Sequence, residues 1–405
     1  MKSQSSSRLG RIVSEKPFVE EENLVSRSKI KLVDLFAGIG GFHYGVAAAA
    51  AKINKGVKPL LVSEIETSCQ ETYRLNHKCE VQGDINKISL RGVNGSVFEG
   101  DEAYIRFSVS KGESILKRLS DLPNRLGEIC QVKAGVVANP DKFKKSHRDK
   151  FSKVTAKDGE GIFVLNSSET RKLENSPHLK PFYKNSDVFK FGSSSATDLS
   201  IIYLNRELKP TKEEKLHLEK FRDILERRRE VVNQLIPWYS LHWPREQNMF
   251  EGPKIVCPQR SNLNTFGYNE LSWYASADVY FIAESNTQFP LKAVLGLLNS
   301  KLYYYWLYNR GKRKGEMLEL YQVPLSEIPL PNLSAPEAKN LTFLVDDCIK
   351  LASEDKSVVQ AEGLLNKFIN EMFELTIDEI GIIDSAYELA QSRRSVKIED
   401  EESVD

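Results

Sequence analysis

A glycine-rich turn beside carboxylates is the feature of this sequence best suited to holding a small ligand. Residues 29–34 predict a short β-strand, DLFAGIGGF occupies residues 34–42, and the alanine-rich stretch 44–51 predicts a helix. Glycines let the backbone approach a ligand closely, and a helix N-terminus offers unpaired N–H groups. The turn does not match G-x-G-x-x-G and no Lys-Ser or Lys-Thr follows it, so a phosphate-gripping loop is not predicted. Strand, turn and helix are typical of the first half of a nucleotide-type site.

A second acid follows the next predicted strand. Residues 59–63 form an apolar run that ends at Glu64, residues 68–76 predict a helix, and Val81-Gln82-Gly83-Asp84-Ile85 comes next. A carboxylate at the end of the second strand can accept hydrogen bonds from a ribose diol. The alternative interpretation is a βαβ core with an incidental glycine turn.

Three of these segments resemble motifs of DNA cytosine-5 methyltransferases, in the same order and with near-standard spacing. DLFAGIGGF at 34–42 is similar to the first motif, Glu64-Ile65-Glu66 with ETYRLN at 71–76 to the second, and Gly83-Asp84-Ile85 to the third. The resemblance implies binding of S-adenosylmethionine. It implies that Phe36 and the turn line the methionine part, Glu64 holds the ribose and Ile65 stacks on adenine. The implied cofactor-binding residues are Asp34, Phe36, Gly38, Gly40, Gly41, Glu64, Ile65, Asp84 and Ile85, the last two at the adenine edge.

The catalytic residues of that family are missing from this sequence. Cytosine-5 chemistry needs a thiolate that attacks the base and an acid that protonates its ring nitrogen. The family carries them as Pro-Cys and Glu-Asn-Val, and neither string occurs here. Cys257-Pro258 has the reverse order in a strand-like run, which favours a buried structural cysteine. The Asn-Pro-Pro-aromatic motif of adenine methyltransferases is also absent, and Asn139-Pro140-Asp141 is interpreted as a turn. The catalytic residues therefore remain unknown.

The central part of the chain combines aromatic runs with basic loops. All four tryptophans fall between residues 238 and 306, and the aromatic helix containing Tyr303, Tyr304 and Tyr305 leads into Arg310-Gly311-Lys312-Arg313-Lys314-Gly315. Three successive tyrosines cannot share one helix face, so at least one is expected to contact solvent or a ligand. Lys and Arg on loops supply phosphate contacts, and Arg, Asn and Gln read base edges.

About residues 115–335 resemble the TaqI-like C-terminal specificity domain of DNA methyltransferases and bifunctional restriction enzymes. The strings that carry this resemblance are VKAGVVANPDKF, PKIVCPQRS, YASADVYFI, LGLLNSKLYYYWL, GKRKG and LSEIPLP. In that family the domain reads target DNA through the major groove, which implies binding of double-stranded DNA. The candidate DNA-binding residues are Arg245, Arg260, Asn262, Arg310, Lys312, Arg313 and Lys314. For GKRKG the alternative is a solvated loop.

A long amphipathic helix is predicted after Pro210. Thr211 and Glu214 make a capping box, and the apolar residues that share one face are Leu218, Phe221, Leu225, Val232 and Leu235. Residues 227–229, three arginines, are interpreted as a solvated basic face of this helix.

Composition limits the class of protein. The 405 residues are 40% hydrophobic and 28% charged, which suits two or three globular domains. The apolar runs are shorter than the ~18–20 residues that span a bilayer, and the N-terminus has no apolar signal region, so we predict a cytoplasmic protein without a membrane partner. The five scattered cysteines include no C-x-x-C pair, so no metal site is predicted. Because the net charge is only +1, any affinity for nucleic acid must come from local patches.

The predicted fold class is α/β: a partial Rossmann-like S-adenosylmethionine-binding unit, an α+β TaqI-like target-recognition domain and a short helical C-terminus. The predicted limits are 1–28 for a flexible tail, 29–98 for the methyltransferase region, 99–335 for the recognition domain, 336–388 for C-terminal helices and 389–405 for an acidic tail. About 70 residues cannot build a full doubly wound sheet, so the rest of the chain or a partner must cover its open edge.

The predicted function is that of a DNA methyltransferase-type protein of a restriction–modification system, acting with a partner methyltransferase or restriction subunit. The first alternative is a catalytically inactive specificity subunit or decayed methyltransferase. The second is adenine-specific methylation with a partner. The target sequence, the modified base and the oligomeric state stay open.

Overall fold

The computed structural model describes residues 29–84, 112–284 and 289–402. The chain forms two compact units, Met1–Val109 and Ser110–Asp405, and both contain helices and strands. This mixture of helices and strands confirms the predicted α/β class. Within the described ranges, no helix combines the length and apolarity needed to cross a bilayer. The same ranges hold no group of three His, Cys, Asp or Glu residues arranged to bind a metal ion.

The first unit alternates strands and helices: β1 (Ile30–Leu35), α1 (Gly41–Lys52), β2 (Val57–Ser63) and α2 (Thr67–His77). The two strands pair in parallel, with Leu35 beside Ser63. Parallel pairing puts the carboxyl ends of both strands at one edge, so the glycine loop after β1 lies next to Glu64 after β2. A parallel bridge from Ser63 to Gln82 brings a third segment to this edge.

A buried hydrogen-bond chain supports the glycine loop. The Tyr73 hydroxyl donates to Oδ2 of Asp34 at 3.0 Å and lies 2.8 Å from Nδ1 of His43. Burial and the hydrogen bond to Asp34 raise the pKa of Tyr73, and burial followed by the charge of His77 lowers the pKa of His43. The phenol is therefore neutral; it donates to Asp34 and accepts from Nδ1–H of His43.

Gly40 is the most constrained position of the loop. Its φ of 93° lies in the left-handed region that favours glycine. Nε2 of His77 donates to the Gly40 carbonyl oxygen at 2.9 Å, and the His77 ring stacks on His43 with 4.1 Å between centroids. A Cβ at position 40 would collide with the His77 ring. Backbone conformation and packing therefore both require glycine here.

The second unit is larger, and its helices and strands are short in the middle and long at the end. In chain order they are α3 (Glu113–Ser120), β3 (Asn124–Arg125), α4 (Leu126–Ile129), β4 (Cys130–Ala134), α5 (Lys145–Arg148), β5 (Val164–Asn166), α6 (Ser167–Thr170), β6 (Leu179–Tyr183), β7 (Val188–Phe189), β8 (Gly192–Ser193), β9 (Leu199–Ile202), α7 (Lys212–Glu219), α8 (Arg222–Leu225), α9 (Arg229–Val232), β10 (Lys254–Pro258), β11 (Arg260–Ser261), β12 (Gly267–Asn269), β13 (Tyr274–Ala275), β14 (Val279–Glu284), α10 (Leu291–Asn299), α11 (Lys301–Arg310), β15 (Arg313–Lys314), β16 (Met317–Glu319), α12 (Gln322–Ser326), β17 (Pro329–Leu330), α13 (Ala335–Ser353), α14 (Val359–Met372) and α15 (Ile377–Glu402).

Two four-stranded sheets organise this unit. The first, in the order β12-β10-β14-β4, is antiparallel, and the second has the order β13-β6-β9-β5. All five residues of β10 are buried. Ile255 and Cys257 face a core shared with the helices α10, α11 and α13–α15, whereas Val256 faces a core shared with the second sheet. The first sheet is therefore covered on both faces.

The prediction that at least one of Tyr303, Tyr304 and Tyr305 contacts solvent or a ligand is wrong. Tyr303, Tyr304 and Tyr305 are 0%, 1% and 5% exposed. Helix α11 is packed against α3, α10, α14 and α15, so these three residues all meet protein although they point in different directions. The Tyr303 hydroxyl is satisfied by donating to the Pro329 carbonyl oxygen at 2.8 Å.

The single long helix predicted after Pro210 is also wrong, because α7, α8 and α9 replace it. The capping box at its start is confirmed: Oγ1 of Thr211 accepts from the Glu214 N–H at 3.2 Å, and Oε2 of Glu214 accepts from the Thr211 N–H at 2.7 Å. The predicted apolar face does not extend to its end, since Val232 and Leu235 are exposed.

Arg228 explains the break before α9 and corrects the interpretation of residues 227–229 as a solvated face. Its backbone is extended (φ −62°, ψ 134°) and its side chain is buried. The guanidinium donates to the carbonyl oxygens of Leu225, Trp238 and Ser240 at 3.0, 2.6 and 2.9 Å. Burial lowers its pKa to about 10, so the group stays charged at neutral pH.

Replacing Arg228 with alanine should destabilise the second unit, because four carbonyl oxygens, those of Leu225, Trp238, Ser240 and Asn139, lose a charged donor. We expect a loss of about 2–4 kcal/mol in the free energy of unfolding. Arg229→Ala, at the exposed neighbour, should change it by less than about 0.5 kcal/mol. Urea unfolding followed by tryptophan fluorescence measures both variants. Equal, small losses would contradict the assigned contacts.

Gly40→Ala should destabilise the first unit by more than about 2 kcal/mol, because it adds left-handed strain to a collision with His77. The matched control is Gly45→Ala inside α1, where an added Cβ meets open space. That change should stabilise the helix by up to about 1 kcal/mol. Hydrogen exchange of peptides from β2 and α2, followed by mass spectrometry, should show opposite shifts in protection. Unchanged protection in Gly40→Ala would contradict this account of the loop.

Candidate functional site

Glu64 connects the glycine loop to the start of α2. Its Oε2 accepts from the Gly38 N–H at 2.7 Å and its Oε1 accepts from the Glu66 N–H at 3.0 Å. These backbone hydrogen bonds, that of Glu66 first, lower the pKa of the Glu64 carboxyl, so it is ionised at neutral pH. A carboxylate offers about four lone-pair sites, so Glu64 can accept further hydrogen bonds from ligand hydroxyls.

The segments that hold this carboxylate also carry exposed apolar side chains. Phe36 and Ile39 lie on the glycine loop, within two residues of Gly38, and Phe36 is 80% exposed. Ile65 directly follows Glu64 and is 68% exposed, and Ile39 is exposed as well. A Cβ placed at Gly38 or Gly41 would meet open space, so ligand atoms can approach the loop backbone there. An ionised carboxylate, open glycine backbone and exposed apolar groups suit a ligand that has both hydroxyls and an apolar ring.

The third predicted segment lies beside Glu64. The Glu64 N–H donates to the Gln82 carbonyl oxygen at 3.0 Å, and Oγ of Ser63 donates to the Gly83 carbonyl oxygen at 2.8 Å. Asp84 follows and is half-buried. Ile85 lies outside the described residues. The structure thus brings residues 38–41, 64–65 and 83–84 together at one edge of the sheet.

Asp34 occupies a different position from the other predicted cofactor residues. It is buried, and its carboxylate accepts from the Tyr73 hydroxyl beneath the loop. Sequence reasoning missed Tyr73 and His77, which position the loop. Their spacing of four residues on a predicted helix was the available signal, since such residues share one face.

Glu319 joins two of the predicted DNA-binding residues. Nε of Arg260 donates to Oε1 of Glu319 at 3.3 Å, and Nζ of Lys312 lies 3.4 Å from Oε2. Arg260 also donates to the Tyr321 hydroxyl at 2.9 Å. Because one buried carboxylate faces two cations, a net positive charge remains at the surface. Asn262, one residue beyond β11, is half-buried.

Arg313 and Lys314 form strand β15, which pairs with β16 in an antiparallel hairpin. GKRKG is therefore ordered and not an irregular loop. The Arg313 guanidinium lies 4.1 Å from the Tyr308 ring centroid and donates to the Gly315 carbonyl oxygen at 3.2 Å. Lys314 is exposed.

Arg310 and Arg245 have other surroundings. Arg310 is mostly buried and ion-paired with Glu113 at 2.5 Å. Arg245 is on a separate loop, where its Nε donates to the Gly135 carbonyl oxygen at 3.2 Å and its guanidinium lies 5.4 Å from the Trp243 ring centroid. Burial lowers the pKa of Arg245. Both arginines have acceptors among the described residues, whereas the Lys314 side chain has none within those ranges.

Cys257 has no access to a substrate. It is fully buried in β10, and desolvation raises the pKa of its thiol. This confirms the prediction of a structural cysteine.

Two family models match the chain. The C-5 cytosine-specific DNA methylase model matches residues 30–99, and the TaqI-like C-terminal specificity domain model matches residues 180–330. Type II methyltransferase M.BanI of Aneurinibacillus aneurinilyticus is 51% identical over 61 residues, which are 15% of this chain and 14% of that protein. Type II methyltransferase M.BanIII of the same organism is 23% identical over 342 residues, which are 77% of this chain and 57% of that protein.

The chain therefore spans less than two thirds of the length of either curated relative. A solved structure of the type IIL restriction-modification enzyme MmeI in complex with DNA matches 66% of this chain and 36% of that chain, with 13% identity and a TM-score of 0.44. By these family models, residues 30–99 are similar to C-5 cytosine-specific DNA methylases and residues 180–330 are similar to the TaqI-like C-terminal specificity domain.

Proposed function

We propose that this chain takes part in site-specific DNA methylation in a restriction–modification system. The first unit binds S-adenosylmethionine, the second recognises a duplex DNA sequence, and a partner chain supplies the groups that react with the base. The two matched families support this division, and relatives of the chain are named type II methyltransferases. The observation that carries the cofactor assignment is the Glu64 carboxylate, held by the Gly38 and Glu66 N–H groups beside exposed apolar residues.

The residues around Glu64 fit S-adenosylmethionine. The unused lone pairs of Glu64 accept from the ribose hydroxyls, and Ile65 covers the adenine ring. Phe36 and the backbone of Gly38–Gly41 border the methionine part, while Asp84 and Ile85 contact the adenine edge. Asp34 supports the loop from below through Tyr73. When bound, the cofactor supplies an electrophilic methyl group.

The second unit contacts DNA through its exposed cations. Arg260, Lys312, Arg313 and Lys314 bind phosphates or base edges from the hairpin and the strand beside it. We include Asn262, Arg245 and Arg310 in the same interface, Arg310 after exchange of its Glu113 partner for a phosphate. An enzyme that modifies a base must expose it, so the target base is flipped into a site that the partner completes.

We infer a partner because neither Pro-Cys nor Glu-Asn-Val occurs in this sequence and because Cys257 is buried. The free cysteines are consistent with a reducing cytoplasm, where such a system acts. An inactive specificity subunit or decayed methyltransferase is the alternative, since DNA binding needs none of the missing residues. Adenine methylation with a partner that carries Asn-Pro-Pro-aromatic is a further alternative.

Glu64→Gln should weaken S-adenosylmethionine binding by about 10–100-fold, because it removes the charged acceptor for the ribose hydroxyls. Glu71→Gln, the same change on the exposed surface of α2, should leave the affinity unchanged. Isothermal titration calorimetry measures both, and anisotropy of labelled duplex DNA should show no change in either variant. Wild-type protein that binds no S-adenosylmethionine would reduce the first unit to a vestigial site.

Methyl transfer should need a second protein. Purified chain, tritiated S-adenosylmethionine and mixed-sequence duplex DNA should give no labelled DNA, whereas addition of extract from the native host should give transfer. Label from the purified chain alone would contradict the assignment of the nucleophile to a partner. No transfer with extract, together with salt-sensitive DNA binding, would favour the specificity-subunit alternative.

A further inference from the structure

A stretch rich in positive charge lies outside the residue ranges that the two family models match. Residues 142–157 contain seven Lys or Arg residues and one acid, Asp149, although the whole chain has a net charge of +1. The six exposed cations of this basic segment are Lys144, Lys145, Arg148, Lys150, Lys153 and Lys157. Of these six side chains, Arg148 alone forms an ion pair within the described ranges, with Asp158 at 2.9 Å.

The basic segment is ordered by apolar contacts and backbone hydrogen bonds. Phe143 is fully buried and packs against Phe221, and Val154 is also buried. The Phe143 N–H donates to the Glu160 carbonyl oxygen at 2.8 Å, and the Gly159 N–H donates to the Phe143 carbonyl oxygen at 2.9 Å. These contacts close the segment into a loop whose apolar residues point inward. The cationic side chains consequently face solvent, and the fold of the segment does not depend on ion pairs with them.

The positive charges of the segment are close enough to affect the titration of a neighbouring side chain, that of His147. After burial, the charges of Lys144 and Lys150 are the next causes that lower the pKa of His147. A second element adds to the same surface, since the Arg227 guanidinium lies 5.1 Å from the Phe151 ring centroid. Packing alone does not require so many like charges, and their mutual repulsion opposes folding.

We propose that this basic segment, with Arg227, is a phosphate-contacting surface for duplex DNA. It is separate from the hairpin of β15 and β16: the segment is anchored in the core that holds the second sheet, and the hairpin borders the helical core. Lysines on a loop neutralise phosphates without reading sequence, so this surface supplies affinity and orientation while other residues select the target. The inference rests on the proposed recognition of DNA by the second unit.

The test is a full-length variant, Lys144→Gln, Lys145→Gln, Lys150→Gln and Lys153→Gln together. Each lost phosphate contact should reduce the slope of log affinity against log salt by about 0.9, so the four changes should reduce it by about 2–4. Affinity for a labelled mixed-sequence duplex at 0.1 M KCl should fall about tenfold or more. Anisotropy titrations at several KCl concentrations measure both quantities.

Two matched variants isolate the effect. Lys117, Lys339, Lys350 and Lys367 are exposed lysines on α3, α13 and α14, and changing all four to Gln should leave the slope unaltered. Arginine at the four test positions should restore the wild-type slope, which separates lost charge from misfolding. If the four-lysine Gln variant bound single-stranded RNA more weakly than the wild type but bound duplex DNA equally well, the proposal would be overturned.

Duplex DNA binding by the wild-type protein distinguishes a failure of the proposed recognition function from a failure of the role proposed for the basic segment. If the wild-type chain shows no salt-sensitive binding to duplex DNA, the proposed recognition function fails. If the wild type binds and the Gln variant keeps its slope, only the phosphate-contacting role of the basic segment is overturned.

Discussion

Burial of one sheet on both faces is the constraint on which the second unit depends. Strands β10 and β14 must be apolar on alternate sides, because Ile255 and Val256 enter different cores. The polar exception in β10 is Lys254, which is fully buried with its Nζ donating to the carbonyl oxygens of Gly252 and Leu271 at 2.7 and 2.6 Å. Burial lowers its pKa to about 8. A sheet that is packed on both faces fixes the positions of the exposed segments at its ends. One of these segments is β11, which starts at Arg260, two residues after the end of β10.

In the first unit, polar groups as well as apolar packing hold the glycine loop in position. Its described core is small, with Val62, Tyr73 and Val81 among its buried members. Hydrogen bonds from Tyr73 to Asp34 and from His77 to Gly40 therefore complete the support of the loop. Glu64 is oriented by two backbone N–H groups without any ligand. Such preorganisation reduces the ordering cost that a ligand would otherwise have to meet on binding.

The two units present different kinds of surface. The first presents one ionised carboxylate among exposed apolar side chains, which suits a small ligand. The second presents cations on ordered loops and a hairpin, which suits a polyanion. The net charge of +1 does not reveal this difference between the units, because acidic residues elsewhere in the chain offset the basic segments. At physiological salt, fields from exposed charges decay within about 8 Å, so local clusters rather than the net charge determine the potential near the surface.

The sequence by itself determined the features that depend on neighbouring residues. The order of the three methylase motifs, the strands and helices around the glycine turn, the capping box of Thr211 and Glu214 and the apolar run that buries Cys257 were all readable, because spacing and local propensity decide them. Tertiary structure decided which side chains meet across the chain. Arg228 turns inward to carbonyl groups as distant in the sequence as that of Asn139, at a separation of 89 residues. Arg310 pairs with Glu113 at a separation of 197 residues, and helices from distant segments enclose Tyr303, Tyr304 and Tyr305. A periodic pattern shows which residues of an element share a face, but only the packing of distant elements determines how many of its faces are buried.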